Sequence, residues 1–352
     1  MTRRLIAGTA LALIAATSAQ AQDGPINITT YGGAFGAAVN EAFVKPFTAE
    51  TGIQTTMVDN DNPPAMLKAE VEAGNITSDV YDVEQSDVIR LCDEGLIEPI
   101  DPAILPAAAD GTPAPEDYLP QALHDCATAI MVWSTVIAYD TEAFPDGAPA
   151  TVADFFDTTK FPGKRGIIKR PKYALEFALL GDGVAPDQVY EVLSTPEGVD
   201  RAFAKLDSIK DQVIWWEAGA QAPQLLADKE VSMTLAYNGR IFDAIVSEGK
   251  PFAFVWDGAN LDMDYWVVPM GAPNKDAAMA FIAEATSAQA QADFAAKTGY
   301  APINTGAAAL MDAEIRKTLP DSQTAAQINA DMAYWAQHRD EISTRWYAWQ
   351  AE

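Results

Sequence analysis

The chain has 352 residues, enough for a large core and more than one domain. Fifty acidic against 23 basic residues give a formal charge of −27, a surface that repels nucleic acid and anionic lipid and attracts cations. Two cysteines and two distant histidines, His124 and His338, argue against a zinc site.

The first segment sets the expected compartment. Arg3 and Arg4 precede the apolar run Leu5 to Ala16, and Ala19-Gln20-Ala21 follows. This is the order of a secretory signal peptide, with a mature chain starting near Gln22. Losing the two arginines takes the formal charge from −27 to −29. The apolar run is too short to span a bilayer, and no other stretch is long enough. No lipid-anchoring cysteine lies near residue 21. In an exported chain the even pair Cys92 and Cys126 suggests a disulfide closing a loop of some 33 residues. Such a bridge contributes about 3–4 kcal/mol by loop closure; two free buried thiols are the alternative.

The remainder alternates strand and helix signals. Ile26 to Tyr31 reads as a strand, Gly32 to Gly36 as a loop, and the following helix runs to about Glu50, with Val39, Phe43, Val44 and Phe47 at helical spacing. Ile53 to Val58 is a second strand. Pro63-Pro64 opens a helix ending near Gly74. Asp79 to Val83 is a third strand and Ser86 to Glu94 a helix stopped by Gly95. This order implies a mainly parallel sheet flanked by helices. Ligands of such sheets bind beyond the carboxyl ends of the strands. That rule places Tyr31 to Phe35, including Gly33, with Asn60 to Asn62 and Glu84 to Asp87 on one rim. The glycines here form neither a dinucleotide fingerprint nor a Walker A loop.

A proline-rich stretch spans Pro99 to Pro120. Ala129 to Tyr139 is a long apolar strand able to carry the chain from one lobe into another. A second α/β region begins near Asp140. Strands are expected at 166–169, 213–216 and 231–237, with strand-like pieces at 252–256 and 265–268. Helices are expected at 174–180, 199–209, 222–228, 276–286 and 288–297, with a helical tail from Asp312 ending in Trp346, Tyr347 and Trp349.

Several motifs resemble those of the spermidine/putrescine-type solute-binding proteins of ABC importers. They are Ile28 to Gly36 with Phe47 and Glu50-Thr51-Gly52-Ile53; Tyr81-Asp82-Val83 with Glu94 to Asp101; Phe155-Phe156-Asp157 with Phe161-Pro162-Gly163-Lys164; Tyr237-Asn238-Gly239; Asp264 with Pro269; and Gly299-Tyr300-Ala301-Pro302. Each is short, but their order and spacing cover some 270 residues. The resemblance implies an α/β, two-lobed periplasmic binding protein fold of type II. Each lobe is a mainly parallel sheet flanked by helices, the hinge is made of crossing strands, and closure traps a ligand in the cleft. The expected lobes are residues 22–135 plus 266–308, and 136–265 plus 309–352.

A polyamine needs carboxylates for its ammonium groups and aromatic faces for its methylenes. The resemblance makes Asp264 the central ligand-binding acid, Tyr237 and Tyr31 cleft aromatics, and Ser86 and Asp87 polar contacts. Trp216, with Trp215 beside it, and Gln221 are further candidates for the cleft wall. One departure stands out: Lys169-Arg170-Pro171-Lys172-Tyr173 occupies a place where the polyamine binders carry acids. Facing the cleft, these bases repel a second ammonium, and Arg170 becomes a bidentate partner for a carboxylate. The expected function is therefore capture of a small cationic solute such as putrescine or spermidine. The alternatives are a zwitterionic 4-aminobutyrate-like ω-amino acid or a betaine, and, in another class, a carboxylate-based hydrolase. Neither histidine lies in a nucleophile constellation, so an enzyme is not expected. The expected partners are the small-molecule ligand and an inner-membrane permease, with no nucleic acid, cofactor or metal, and a monomeric carrier.

Overall fold

The computed structural model describes residues 24–351. The signal-peptide reading, with its cleavage near Ala21, lies outside the described residues. Among the described residues no helix is long and apolar enough to cross a membrane.

Strands β1 (Ile26–Thr30), β2 (Thr55–Asp59) and β3 (Val80–Glu84) form a parallel group in the order β2-β1-β3. After β4 (Leu123–His124), the 14-residue strand β5 (Ala127–Asp140) is buried along its whole length. Then come β6 (Arg165–Ile168), β7 (Val213–Trp216), β8 (Met233–Tyr237), the 16-residue β9 (Phe252–Val267) and β10 (Gln327–Asn329). The sheet order is β2-β1-β3-β9-β5-β8-β6-β7. β9 and β5 are antiparallel to one another and stand between the two parallel groups. They are the crossing strands of a two-lobed α/β binding-protein fold, and they bring both groups to one cleft.

β9 differs from its sequence reading, which split it into two short pieces. Its middle, Asp257 to Asp264, carries buried Asn260, Asp262 and Asp264 alternating with half-buried Leu261 and Met263. The period of two is intact, but its polarity is inverted, so no apolar face announces the strand. The inversion marks where the sheet lines the cleft rather than the core.

Packing on either side of the crossing strands is aromatic. Phe43 stacks on Phe294 with centroids 4.7 Å apart and meets Trp266 edge-on at 6.2 Å. On the far side Trp215 meets Trp346 and Trp349 edge-on at 5.6 and 5.8 Å. These pairs anchor the C-terminal helix Met332–Gln350, whose other contacts include Trp335 Nε1 donating to Glu176 at 2.7 Å. The same helix reaches across to the first parallel group: Arg339 donates to Ser86 at 2.7 Å and to both carboxylate oxygens of Asp87. Cys92 and Cys126 form the disulfide, with Cα atoms 6.0 Å apart. The bridge ties the helix Gln85–Asp93 to the entry of β5.

Candidate functional site

Two short loops and the crossing strands build a cavity of about 110 Å³ between the parallel groups. The turn after β1 supplies Tyr31, and the helix Gly33–Val39, which begins where the sequence reading expected a loop, supplies Phe35. Gly32 and Gly33 both sit at positive φ, 64° and 61°, where a side chain is strained. The turn they make aims the Gly32 carbonyl at Arg240, which donates to it at 3.1 Å. Arg240 lies on the helix Asn238–Val246, whose first residue is structural. Asn238 accepts from the Ser134 amide at 2.9 Å and donates to the Gly299 carbonyl at 2.8 Å. Gly239 lacks a side chain because a Cβ there would stand 2.3 Å from the Tyr300 ring. The Tyr237-Asn238-Gly239 and Gly299-Tyr300 motifs are thus two sides of one contact, which fixes Tyr300 and Arg240 in the cavity wall.

The floor is acidic. Register pairs Glu84 of β3 directly with Asp264 of β9, so Asp82, Glu84, Asp262 and Asp264 share one face of two adjacent strands. All four are buried. Burial alone would raise Glu84, but Arg170 and Lys172 hold it well below the usual carboxylate range. Arg170 donates to it at 2.8 Å and Lys172 at 2.7 Å. Lys172 also donates to Asp262 at 2.9 Å, and the Tyr173 hydroxyl donates to the same oxygen. Asp264 has no basic partner among the described residues; it accepts from Trp133 Nε1 at 2.9 Å. Burial, then the charges of Glu84 and Asp262, push its carboxyl well above the ordinary value.

The bases come from a backbone kink. Lys172 is extended and Tyr173 is left-handed, with φ 71°, inside the helix Pro171–Gly181. A tyrosine held there is strained by about 1–3 kcal/mol. The kink turns Arg170 and Lys172 inward, while Lys169 stays outside on Glu217. Arg170 also donates to the Tyr237 hydroxyl at 2.7 Å. It lines both the small cavity and a larger groove of about 750 Å³, whose walls include Lys68, Arg90, Asp87 and Arg339.

Of the candidate residues, Tyr31, Arg170, Tyr237 and Asp264 line the small cavity together. The others do not. Gly33 lies beside it, behind Arg240. Ser86 is wholly buried and engaged by Arg339, and Asp87 faces the larger groove. Trp216 stands behind Tyr237, rings edge-to-face at 5.6 Å, and Trp215 packs on the C-terminal helix. Gln221 turns back on its own helix start, accepting from the amides of Glu217 and Ala218 at 2.7 and 2.9 Å. Sequence reasoning missed Phe35 and Glu84 as individual contacts although it set both on the rim. It missed Trp133, Arg240 and Tyr300 altogether. Trp133 lies inside an apolar strand and Arg240 on an amphipathic helix, so neither carries a local signal; Tyr300 sat in a quoted motif without a role.

Among the described residues the arrangement presents a carboxylate without a base at one wall, a guanidinium without a carboxylate at another, and aromatic faces between. Trp133 and Tyr237 are edge-to-face at 5.0 Å, and Phe35 and Tyr300 are 6.1 Å apart. Among the described residues that line the cavity, no nucleophile has a positioned base.

Residues 42–325 match the family described as bacterial extracellular solute-binding protein. Over 340 residues, 96% of this chain and 94% of the relative, the sequence is 42% identical to the gamma-aminobutyric acid-binding protein of Pseudomonas aeruginosa. It is 25% identical over 337 residues, 92% of this chain and 90% of the relative, to the spermidine/putrescine-binding periplasmic protein of Salmonella typhimurium. The solved structure of the Atu4243-GABA receptor superposes with a TM-score of 0.81 at 43% identity, covering 94% of this chain and 98% of that one. The chain belongs to the bacterial extracellular solute-binding protein family, as the substrate-binding component of an ABC transporter.

Proposed function

We propose that this protein captures a zwitterionic ω-amino acid of the 4-aminobutyrate type, with its ammonium at Asp264 and its carboxylate at Arg240. The observation that carries the reading is that one cavity holds both Asp264 and Arg240, each without an ion-pair partner among the described residues. A ligand bearing both charges satisfies both, whereas leaving either buried and unpaired is costly. Cavity size supports the same class: about 110 Å³ is well below the roughly 300–1,000 Å³ of pockets for drug-sized ligands. A long polyamine would extend its second ammonium toward Arg170 and Arg240. The two relatives named for gamma-aminobutyric acid, at 42% and 43% identity, support this reading over the polyamine one.

Capture proceeds by closure of two lobes, residues 22–135 plus 266–308 and 136–265 plus 309–352. Tyr31, Tyr237, Trp133 and Tyr300 enclose the methylenes. The chain is exported with cleavage near Ala21, acts as a monomer and delivers its ligand to an inner-membrane permease. Titration calorimetry with 4-aminobutyrate, putrescine, butyrate and glycine betaine tests the ligand class. The zwitterion binds tightest. Butyrate and putrescine each lose about two to four decades, because each leaves one buried charge unanswered. Betaine, which carries no N–H donor, is also weaker. Tighter binding of putrescine than of 4-aminobutyrate refutes the assignment.

A further inference from the structure

Asp82 is the buried acid that the proposed ligand contacts leave unused. Its residue is fully buried, and both carboxyl oxygens are closed off from solvent without meeting any N–H or O–H donor among the described residues. It lies on the same face of β3 as Glu84, diagonal in register to Asp264 across the β3–β9 ladder. That diagonal makes the buried Asp264 carboxyl its nearest acidic neighbour across the ladder. Two neighbouring carboxylates buried in such a place cannot both remain ionised, so the pair keeps a proton.

We propose that Asp82 and Asp264 share one proton at neutral pH and act as a single negative charge, so that Asp82 limits the site to one ammonium group. This inference rests on the zwitterion reading for its ligand, though not for the shared proton itself.

The charges around the pair fit that count. Asp82, Glu84, Asp262 and Asp264 on the two strands face Arg170 and Lys172 from the kinked segment and Arg240 from the helix Asn238–Val246. With one proton in the pair, three negative charges meet three positive ones. The empty site is neutral, and it stays neutral on taking up a ligand of zero net charge. With no proton it would carry one uncompensated negative charge and would favour a ligand of net charge +1. The titratable phenols nearby, Tyr31, Tyr237, Tyr265 and Tyr300, all have their acidities weakened by burial and are neutral at pH 7. Farther out, Arg339 neutralises Asp87 and Lys169 neutralises Glu217, while Asp61 is exposed at the rim. Burial, followed by the Asp264 charge, raises Asp82 strongly, in keeping with a retained proton.

Infrared spectroscopy of the ligand-free protein, with aspartate ¹³C-labelled at the carboxyl so that Glu176 is silent, tests the pair directly. The expected result is a shifted carboxylic-acid C=O band at pH 7 that is lost in Asp82→Asn. Absence of that band in the parent, or its full survival in Asp82→Asn, overturns the proposal. Calorimetry of 4-aminobutyrate in phosphate and in Tris is expected to show no net proton exchange; release of a full proton overturns it too. Asp82→Asn, which keeps the charge count, changes Kd by less than about tenfold. Asp264→Asn loses at least about a hundredfold. If 4-aminobutyrate does not bind at all, the ligand reading fails, while the infrared result still decides the shared proton without any variant needing to bind.

Discussion

Arg240→Met separates ligand recognition from folding. Arg240 is 9% exposed, its guanidinium lies over the Phe35 ring at 5.8 Å, and its hydrogen bond is to the Gly32 carbonyl at 3.1 Å. Methionine keeps the apolar stem and the packing volume. The ligand-free fold therefore loses one neutral-acceptor hydrogen bond and one cation–π contact, about 1–2 kcal/mol together. The complex loses the partner of a buried carboxylate, which costs roughly 3–5 kcal/mol. The second effect is larger than the first. The expected outcome is a Kd for 4-aminobutyrate raised about 10²–10⁴-fold, with the ligand-free melting temperature moved by only about 2–4 °C per kcal/mol lost. Titration calorimetry and scanning calorimetry on the same preparations read the two quantities. Butylamine, which has no carboxylate, serves as control and binds the variant at least as tightly as the parent. Parental affinity for 4-aminobutyrate in Arg240→Met refutes the placement of the ligand carboxylate.

Arg170→Ala removes the link between Glu84 and Tyr237 and opens the small cavity toward the larger groove. Glu84 keeps Lys172, so the fold survives while ligand escape accelerates about tenfold or more, read by stopped-flow tryptophan fluorescence; an unchanged off-rate would mean that Arg170 does not hold the cavity closed. Alkylation of denatured, unreduced protein is expected to label neither Cys92 nor Cys126, and reduction to lower stability by about 3–4 kcal/mol in urea titrations. Labelling of both cysteines in freshly exported protein counts against the bridge. Burial pushes Glu176 up to about 7, from an ordinary 4.5. As pH rises from 4.5 toward 7 the unfolded chain gives up this proton and the folded chain keeps it, so stability falls. The loss totals about 3 kcal/mol. Glu176→Gln is expected to flatten that slope in pH-dependent melts, and an unaltered slope would mean that another group supplies it.

Much of the fold was legible in the sequence. Local apolar periodicity marked β1, β3, β5 and the helices, because each buries one face or all of itself, and turn chemistry at Gly52, Gly74 and Gly95 ended the helices. The even cysteine pair in a chain read as exported pointed to the bridge that forms. Motif order pointed to the two-lobed fold and to Asp264 and Tyr237 in one cavity. Trp216, Gln221 and Ser86 were misplaced because residue type states neither which side of a strand faces the cleft nor which hydrogen bonds lie nearer.

Three features belonged to the tertiary structure alone. The direction of Arg170 and Lys172 depends on a left-handed tyrosine, a conformation that nothing short of the surrounding packing enforces. The partnership of Asp82 with Asp264 exists only because β3 and β9, far apart in the chain, pair antiparallel in one register. Arg240 belongs to the cavity because Gly239 lets Tyr300 close over the start of its helix. In each case the deciding quantity is the charge and burial created by long-range pairing. Local sequence determines which residues can line a strand or helix, and only the completed fold determines which charges are left for a ligand to answer.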